Sequence, residues 1–180
     1  KSAAFRTADL VGIDTLLPVA ANSHELLVLD EQRDIFRLPA FVGEMVAKGL
    51  LGNKSGSGFY KKIKGEQGKE FFYYDYATGD YAPSQRPKFA SIEAAKAIDD
   101  PAKRLRALLA GSDKGARFAW TNLRDLLIYA FNRIPEIAAD IVSIDNAMKW
   151  GFNWELGPFG MLDAIGVANF VERAGKVGRA

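Results

Sequence analysis

Apolar residues recur at helical spacing along most of this chain, and the run over residues 116–134 is the strongest case. Five of its side chains share one face and predict an amphipathic helix that buries this stripe: Trp120, Leu123, Leu127, Ala130 and Ile134. Weaker helical patterns cover residues 12–34, where Asp14 suits the N-cap, and residues 37–49. The chain is therefore predicted to be mostly helical.

Cap residues and prolines mark further helices in the second half of the chain. Ser91 suits the N-cap of a helix over residues 92–98, and Pro101 suits the first turn of the next one. Pro135 is predicted to open another helix that ends at Gly151. One face of that helix carries Ile137, Ile141, Ile144 and Met148.

Residues 58–83 form the one stretch with a β pattern. Two aromatic-rich runs are joined by residues 65–68, which predicts a β-hairpin. In the second run, Phe72, Tyr74 and Tyr76 share one face, and Phe71 and Tyr73 share the other. We favour a packed hairpin over a stacking platform for single-stranded nucleic acid, although four lysines lie close by in sequence: Lys61, Lys62, Lys64 and Lys69.

The segment "GLLGNKSGSGFYKK", residues 49–62, resembles a phosphate-binding loop, but its register is wrong. A P-loop places a glycine before the Lys-Ser pair, whereas Asn53 precedes Lys54 here. The segment also follows a helical pattern instead of a buried strand. We expect a helix-exit loop without bound phosphate, in which Gly56 and Gly58 supply backbone freedom.

Composition excludes several classes of protein. The 180 residues carry a net charge of +2 with acids and bases interspersed, which argues against a nucleic-acid partner. The chain contains no cysteine, so disulfides and thiolate metal sites are excluded. No apolar run approaches the ~20 residues of a membrane span, and no signal peptide pattern opens the chain. We expect a cytoplasmic protein, and the missing initiator Met indicates a fragment.

Isolated titratable residues predict little chemistry. His24 is the sole histidine, and its neighbour Glu25 points elsewhere on a helix, so we interpret His24 as a solvated helix residue. Asp140 and Asp145 are five positions apart, which does not place them on one helix face. Together with Glu136 they are interpreted as a solvated face, and no metal ligands are assigned.

Two segments of the chain match each other. "FRTADLVGI" begins at Phe5 and "FGMLDAIGV" begins at Phe159. Both read Phe, three residues, Asp, two residues, Gly and a β-branched residue. Each is predicted to form a short helix that buries its Phe and turns at its glycine, Gly12 or Gly166.

With these motifs on hand, the chain resembles the C-terminal domain of L-3-hydroxyacyl-CoA dehydrogenase. Three stretches carry the resemblance: "FRTADLVGIDT", "GLLGNKSGSGFYKK" and "AMKWGFNWELGPFGMLDAIGV". Their order is similar to that in longer family members, which hold two tandem copies of this helical domain. The resemblance implies an all-α fold with one small β-hairpin, like the C-terminal domain of 6-phosphogluconate dehydrogenase, duplicated and with the first copy truncated at its N-terminus.

The resemblance also implies a division of the chain. Residues 1–64 would be the truncated first helical copy, ending in a hairpin strand. Residues 65–113 would hold the hairpin and a connector, and residues 114–180 the second copy.

The family oxidises L-3-hydroxyacyl-CoA to 3-ketoacyl-CoA with NAD in fatty-acid β-oxidation. The resemblance implies that a separate Rossmann domain holds the NAD and the catalytic His–Glu pair. Neither its glycine fingerprint nor a matching histidine occurs here, so we assign no catalytic or cofactor-binding residue and expect this chain alone to be inactive. Asn122 and Asn132 match the family's substrate-contacting Asn poorly, and neither is given that role.

The chain's own role would be to wall the acyl-CoA cleft and to contact the Rossmann domain or a second subunit. The candidate substrate-binding residues are Phe5, Pro158 and Phe159. The aromatic stretch over residues 150–159 either lines an acyl pocket or wedges the two copies together. The alternative is a non-catalytic helical interaction or oligomerisation module. In both cases the apolar side of the Asp14 helix is expected to be covered by the second copy or by a neighbouring chain.

Overall fold

The computed structural model describes residues 3–65, 68–85 and 87–177. The chain divides into two compact units, which we call unit 1 (residues 1–86) and unit 2 (residues 87–180). These units are defined by packing. The threefold division above concerns copies of a domain, and it stays a prediction.

Unit 1 joins short helices to a sheet. Its helical segments are α1 (Ala4–Val11), α2 (Ile13–Leu26), a 3-10 turn (Arg33–Phe36), α3 (Ala40–Ala47) and a second 3-10 turn (Asn53–Ser55). Its strands are β1 (Tyr60–Gly65), β2 (Gly68–Asp75) and β3 (Asp80–Pro83). They pair antiparallel in the order β1-β2-β3.

The predicted hairpin is therefore one part of a three-stranded sheet. A second tight turn follows β2, in which the Ala77 amide donates to the Asp75 carboxylate over 2.9 Å. Gly79 adopts a φ of 71°, a conformation that glycine reaches without strain. Asp and Gly at this spacing are a turn signal in the sequence, and the prediction of a single hairpin overlooked it.

The start and the end of α2 differ from the prediction. Gly12 occupies the N-cap, and Asp14 lies in the first turn, where its carboxylate is 2.6 Å from the Lys54 ammonium. The predicted cap was wrong because α1 runs up to Gly12 and fixes the start of α2 there. The helix ends at Leu26, well before residue 34, and a 3-10 turn follows.

The core of unit 1 lies between the helices and one face of the sheet. Ile13, Val42 and Met45 are buried there together with Tyr74 from β2. The ring of Phe41 stacks on Tyr74 and also on Tyr76, at centroid distances of 6.4 and 5.5 Å. Tyr74 and Tyr76 thus lie on the same side, as the β pattern predicted.

The described residues of unit 2 form helices joined by loops, without a strand. Its helices are α4 (Ala90–Lys96), α5 (Pro101–Leu109), α6 (Lys114–Asn132), α7 (Ile141–Phe152), α8 (Pro158–Ile165) and α9 (Val167–Val177). The predicted opening of α5 at Pro101 is confirmed. Four of the five residues predicted for the stripe of α6 are buried, namely Trp120, Leu123, Leu127 and Ala130, whereas Ile134 lies beyond the end of the helix and is only partly buried.

Ser91 does not cap α4 as predicted. The N-cap is Phe89, and Ser91 is buried inside the first turn. Its amide and its hydroxyl donate to the Asp113 carboxylate over 2.9 and 2.7 Å. Asp113 is also the N-cap of α6 and accepts the Ala116 amide over 2.9 Å. The serine thus serves a tertiary contact, which local cap chemistry does not reveal.

The helix expected from Pro135 begins later, at Ile141. Asp140 is its N-cap and accepts the Ser143 amide over 2.8 Å, so a capping aspartate marks the boundary. The proposed apolar face was wrong in part, because Ile137 lies outside the helix and is 69% exposed, whereas Ile144 is buried.

The two matched segments share one local geometry. Helix α1 ends at Gly12 with φ and ψ of 110° and 129°, and α8 ends at Gly166 with 87° and 128°. In each, the glycine amide donates to the carbonyl four residues earlier, and the next helix begins at once. Phe159 is 8% exposed as expected, but Phe5 is 55% exposed and does not enter the core.

The prediction of a mostly helical fold with a small β element is confirmed, with three strands in place of two. The likeness to the C-terminal domain of 6-phosphogluconate dehydrogenase and the duplication of the domain stay predictions.

We expect the stability of unit 2 to fall in acid through Asp113. Hydrogen bonds from the Ser91 amide and hydroxyl and from the Ala116 amide lower the pKa of Asp113 from 3.8 to about 2. A lowered folded-state pKa stabilises the fold above the ordinary pKa, and this stabilisation is lost as pH falls from 3.8 towards about 2.

The measurement is urea unfolding followed by tryptophan fluorescence, since all three tryptophans lie in unit 2. Asp113→Asn should remove part of the acid-induced loss between about pH 4 and pH 2. Asp163→Asn, at an exposed position, serves as the control and should leave the loss intact. Equal acid sensitivity in both variants would contradict this role.

Candidate functional site

The glycine-rich loop of unit 1 encloses a carboxylate of the chain itself. Asp9 in α1 is only 4% exposed, and its two oxygens accept the amides of Phe59 and Tyr60 over 2.7 and 2.9 Å. Burial raises the pKa of Asp9, while the hydrogen bonds from Tyr60 and Phe59 act in the opposite direction. The loop is thereby fixed against α1.

Two glycines make this close approach possible. A Cβ on Gly58 would lie 2.1 Å from an Asp9 carboxylate oxygen, and a Cβ on Gly52 would lie 2.4 Å from the Asp9 carbonyl oxygen. Gly58 is therefore required for space, and not for the backbone freedom predicted for it. Gly56, with a φ of 77°, has the predicted role.

An aromatic cleft of about 520 Å³ opens beside this loop. Seven aromatic side chains line it: Phe5, Phe41, Phe59, Tyr60, Tyr73, Tyr74 and Tyr76. Asp75, Ser84 and Gln85 add polar groups. Phe59 and Tyr60 directly follow the loop, so the hydrogen bonds to Asp9 fix where their rings stand.

Other contacts hold the cleft walls in place. The Phe5 ring from α1 lies 4.8 Å from the Phe59 ring, centroid to centroid. The Tyr81 hydroxyl donates to the Gly58 carbonyl over 2.6 Å and ties β3 to the loop. Burial raises the pKa of Tyr81, so this hydroxyl keeps its proton, and can donate, well above neutral pH.

The three candidate substrate residues are not equivalent. Phe5 stands in the cleft of unit 1 and is half exposed. Pro158 and Phe159 belong to unit 2 and are buried, with Phe159 packed against Ala130 and Ile144. Their assignment to substrate stays a prediction. Of the seven aromatic cleft residues, sequence reasoning named only Phe5, although Phe59 and Tyr60 belong to the glycine-rich motif that was singled out.

His24 is not the solvated residue that was expected. Its side chain is 21% exposed and borders a second depression of about 480 Å³. The Nε2 atom accepts the Arg37 Nε–H over 2.7 Å and lies 3.3 Å from the Asp34 carboxylate. Asp34 lies ten positions after His24, and the three- and four-residue spacings that identify neighbours on a helix do not detect such a partner.

The aspartates interpreted as a solvated face have structural partners. Asp140 caps α7, and Asp145 accepts the amides of Phe159 and Gly160 at the start of α8, over 2.7 and 2.8 Å. In the described part of the chain, no three histidine, aspartate or glutamate side chains group so as to hold a metal ion. Nor is any helix among these residues long and apolar enough to cross a membrane.

Comparisons with known proteins agree on one family. Residues 1–62 match the model for "3-hydroxyacyl-CoA dehydrogenase, C-terminal domain". Over 178 residues, 99% of the chain, it is 42% identical to a Bacillus subtilis protein named "Probable 3-hydroxyacyl-CoA dehydrogenase", and covers 22% of that protein. No solved structure matches the chain.

Two further relatives extend this agreement. A Deinococcus radiodurans protein of the same name is 48% identical over 71 residues, 39% of the chain and 20% of that protein. A Rickettsia prowazekii protein named "Putative fatty acid oxidation complex trifunctional enzyme" is 25% identical over 166 residues, 92% of the chain and 21% of that protein. The chain thus spans about a fifth of the length of these relatives.

We expect Gly58→Ala to destabilise unit 1 by about 2–3 kcal/mol, because its Cβ would overlap Asp9 and the Gly52 backbone. The free energy of unfolding, followed by near-UV circular dichroism of the tyrosines, measures this. Gly43→Ala in α3 is the matched control, since a Cβ there meets no described atom within 4 Å. A Gly58→Ala variant as stable as the unchanged chain would show that the loop does not pack on Asp9.

Proposed function

We infer that this chain is the C-terminal helical region of a 3-hydroxyacyl-CoA dehydrogenase. On that basis, we propose that its parent protein oxidises L-3-hydroxyacyl-CoA to 3-ketoacyl-CoA with NAD. Within that protein, unit 1 supplies one wall of the acyl-CoA site. The family match over residues 1–62 supports the reaction class. The name of the Rickettsia relative supports a place in fatty acid oxidation.

The aromatic cleft is the observation that supports a role for unit 1 as a wall of the acyl-CoA site. Its volume of about 520 Å³ falls within the usual range of small-molecule sites, and apolar rings dominate its lining. Such a surface suits an acyl chain and excludes water from a neighbouring thioester. Phe5 is the candidate residue retained as a direct contact. Pro158 and Phe159 would instead hold α8 within the core of unit 2.

The glycine-rich loop of this chain does not fit the pyrophosphate of NAD. The amides of Phe59 and Tyr60 donate their hydrogen bonds to Asp9, and the Lys54 ammonium is paired with Asp14. We therefore assign NAD to another part of the parent protein and no step of hydride transfer to residues of this chain. The residues here bind and orient the acyl-CoA.

A helical interaction module is the second candidate. Exposed apolar residues at and after the end of α2 favour it, since a surface of this kind invites a protein partner: Leu26, Val28, Leu29 and Ile35. Light scattering tests this candidate directly. Association that Leu29→Ser abolishes, without any acyl-CoA affinity, would favour the module over the proposed function.

Calorimetric titration of the chain with acetoacetyl-CoA tests the proposed function. We expect binding, and we expect Phe5→Ala to weaken it about fivefold to tenfold, because about 1 kcal/mol of apolar contact is lost. Leu10→Ala, on the same helix and exposed, is the control and should bind as the unchanged chain does.

In the same samples the chain should not oxidise NADH with acetoacetyl-CoA. Turnover by the chain alone would contradict the assignment of the chemistry to another domain. Absence of any heat of binding, or equal weakening by Phe5→Ala and Leu10→Ala, would contradict the role of the cleft.

A further inference from the structure

One face of the sheet in unit 1 combines exposed aromatic rings with cations. In the ladder, Tyr60 lies opposite Tyr73 and Lys62 lies opposite Phe71, so these four side chains share a face. Arg6 from α1 reaches the same face. We call these five residues the cation–aromatic face.

The cations lie directly against the rings. The Arg6 guanidinium carbon is 5.6 Å from the Tyr60 ring centroid and 5.8 Å from that of Phe71. The Lys62 ammonium is 5.7 Å from the Phe71 centroid. These distances fall within the range of cation–π contacts, which hold a charge in place without neutralising it.

Among the described residues, neither Arg6 nor Lys62 forms an ion pair with an aspartate or glutamate. Phe71 and Tyr73 remain 41% and 38% exposed. The face therefore offers stacking surface and positive charge at the same place.

The opposite face of the sheet has a different use. Tyr74 and Tyr81 are opposite each other there and pack edge to face in the core of unit 1. Lys61, the neighbour of Lys62, also points to that side, with its ammonium 5.3 Å from the Tyr81 centroid. The two adjacent lysines thus lie on opposite faces.

We propose that the cation–aromatic face binds the adenosine 3′,5′-bisphosphate end of coenzyme A. The adenine stacks on Tyr73, as nucleobases do on exposed aromatic rings. Arg6 and Lys62 donate to the phosphate oxygens. That the ligand is coenzyme A rests on the proposed function, whereas the chemistry of a base and its phosphates is read from the face itself.

Two features favour a compact ligand of this kind. Tyr60 and Tyr73 also line the aromatic cleft, so one molecule can place its acyl end in the cleft and its nucleotide on the face. At the far end of the same face, Asp75 lies opposite Asp80. Their negative charges oppose the extension of a polyanion along the sheet, which argues against a nucleic-acid strand.

Calorimetric titration of the 180-residue chain with adenosine 3′,5′-bisphosphate tests this proposal. We expect Arg6→Gln and Lys62→Gln each to weaken binding about fivefold to tenfold, since each removes a charged donor to phosphate. Lys61→Gln is the matched control, because it removes the same charge from the opposite face, and it should change the affinity less than about twofold. Circular dichroism confirms that each variant is folded.

A second ligand separates this proposal from the proposed function. The acetoacetyl thioester of pantetheine lacks the nucleotide, and its binding should depend on Phe5 and not on Lys62. If the bisphosphate binds and the thioester does not, the assignment of the acyl group to the aromatic cleft is wrong. The assignment of the nucleotide to the cation–aromatic face is then still supported.

Three outcomes would overturn the proposal. One is the absence of bisphosphate binding, and another is an equal loss for Lys61→Gln and Lys62→Gln. The third is tighter binding of a single-stranded oligonucleotide with a steep salt dependence, which would identify the face as a nucleic-acid surface.

Discussion

The Asp9 carboxylate and the two amides it accepts, from Phe59 and Tyr60, are the contact on which unit 1 depends. It joins residues fifty positions apart and closes the glycine-rich loop over α1. The walls of the aromatic cleft begin at these two residues, and β1 follows directly. Burying a carboxylate requires hydrogen-bond donors that replace water, and these two amides supply them to Asp9.

The same solution recurs in unit 2. Asp113 accepts the amides of Ser91 and Ala116, and Asp145 accepts those of Phe159 and Gly160. Each aspartate supplies acceptors to amides at a helix start that have no partner within the helix. A carboxylate that satisfies two such amides fixes the entry angle of a helix, which short helices cannot do by propensity alone.

Much of the fold follows from the sequence, and its failures have a common cause. The stripe of α6, the opening of α5 and the glycine turns at Gly12 and Gly166 depend on local patterns, and they are found in the structure. Ser91 and Gly58 were misassigned because their partners, Asp113 and Asp9, lie far away along the chain, and Asp14 because α1 fixes the start of α2 at Gly12. Local rules treat a serine or an aspartate near a helix start as a cap, whereas tertiary partners decide its use.

The cleft was predictable only in part for the same reason. Phe5 was singled out through the repeat and Phe59 through the glycine motif, yet neither pattern indicates that the two rings meet. Their meeting depends on Asp9, whose burial no local pattern signals. The family resemblance, in contrast, was visible from three short motifs and is confirmed by the comparisons.

Amide hydrogen exchange at Phe59 and Tyr60, measured by NMR in the unchanged chain and in Asp9→Asn, tests the central contact most directly. An asparagine can offer only one accepting oxygen, so one of the two amides loses its partner. We expect both amides to exchange slowly in the unchanged chain, and at least one to exchange about tenfold faster or more in Asp9→Asn, while the amides of α3 keep their rates. Unchanged exchange at both positions would show that the loop is held by something other than Asp9.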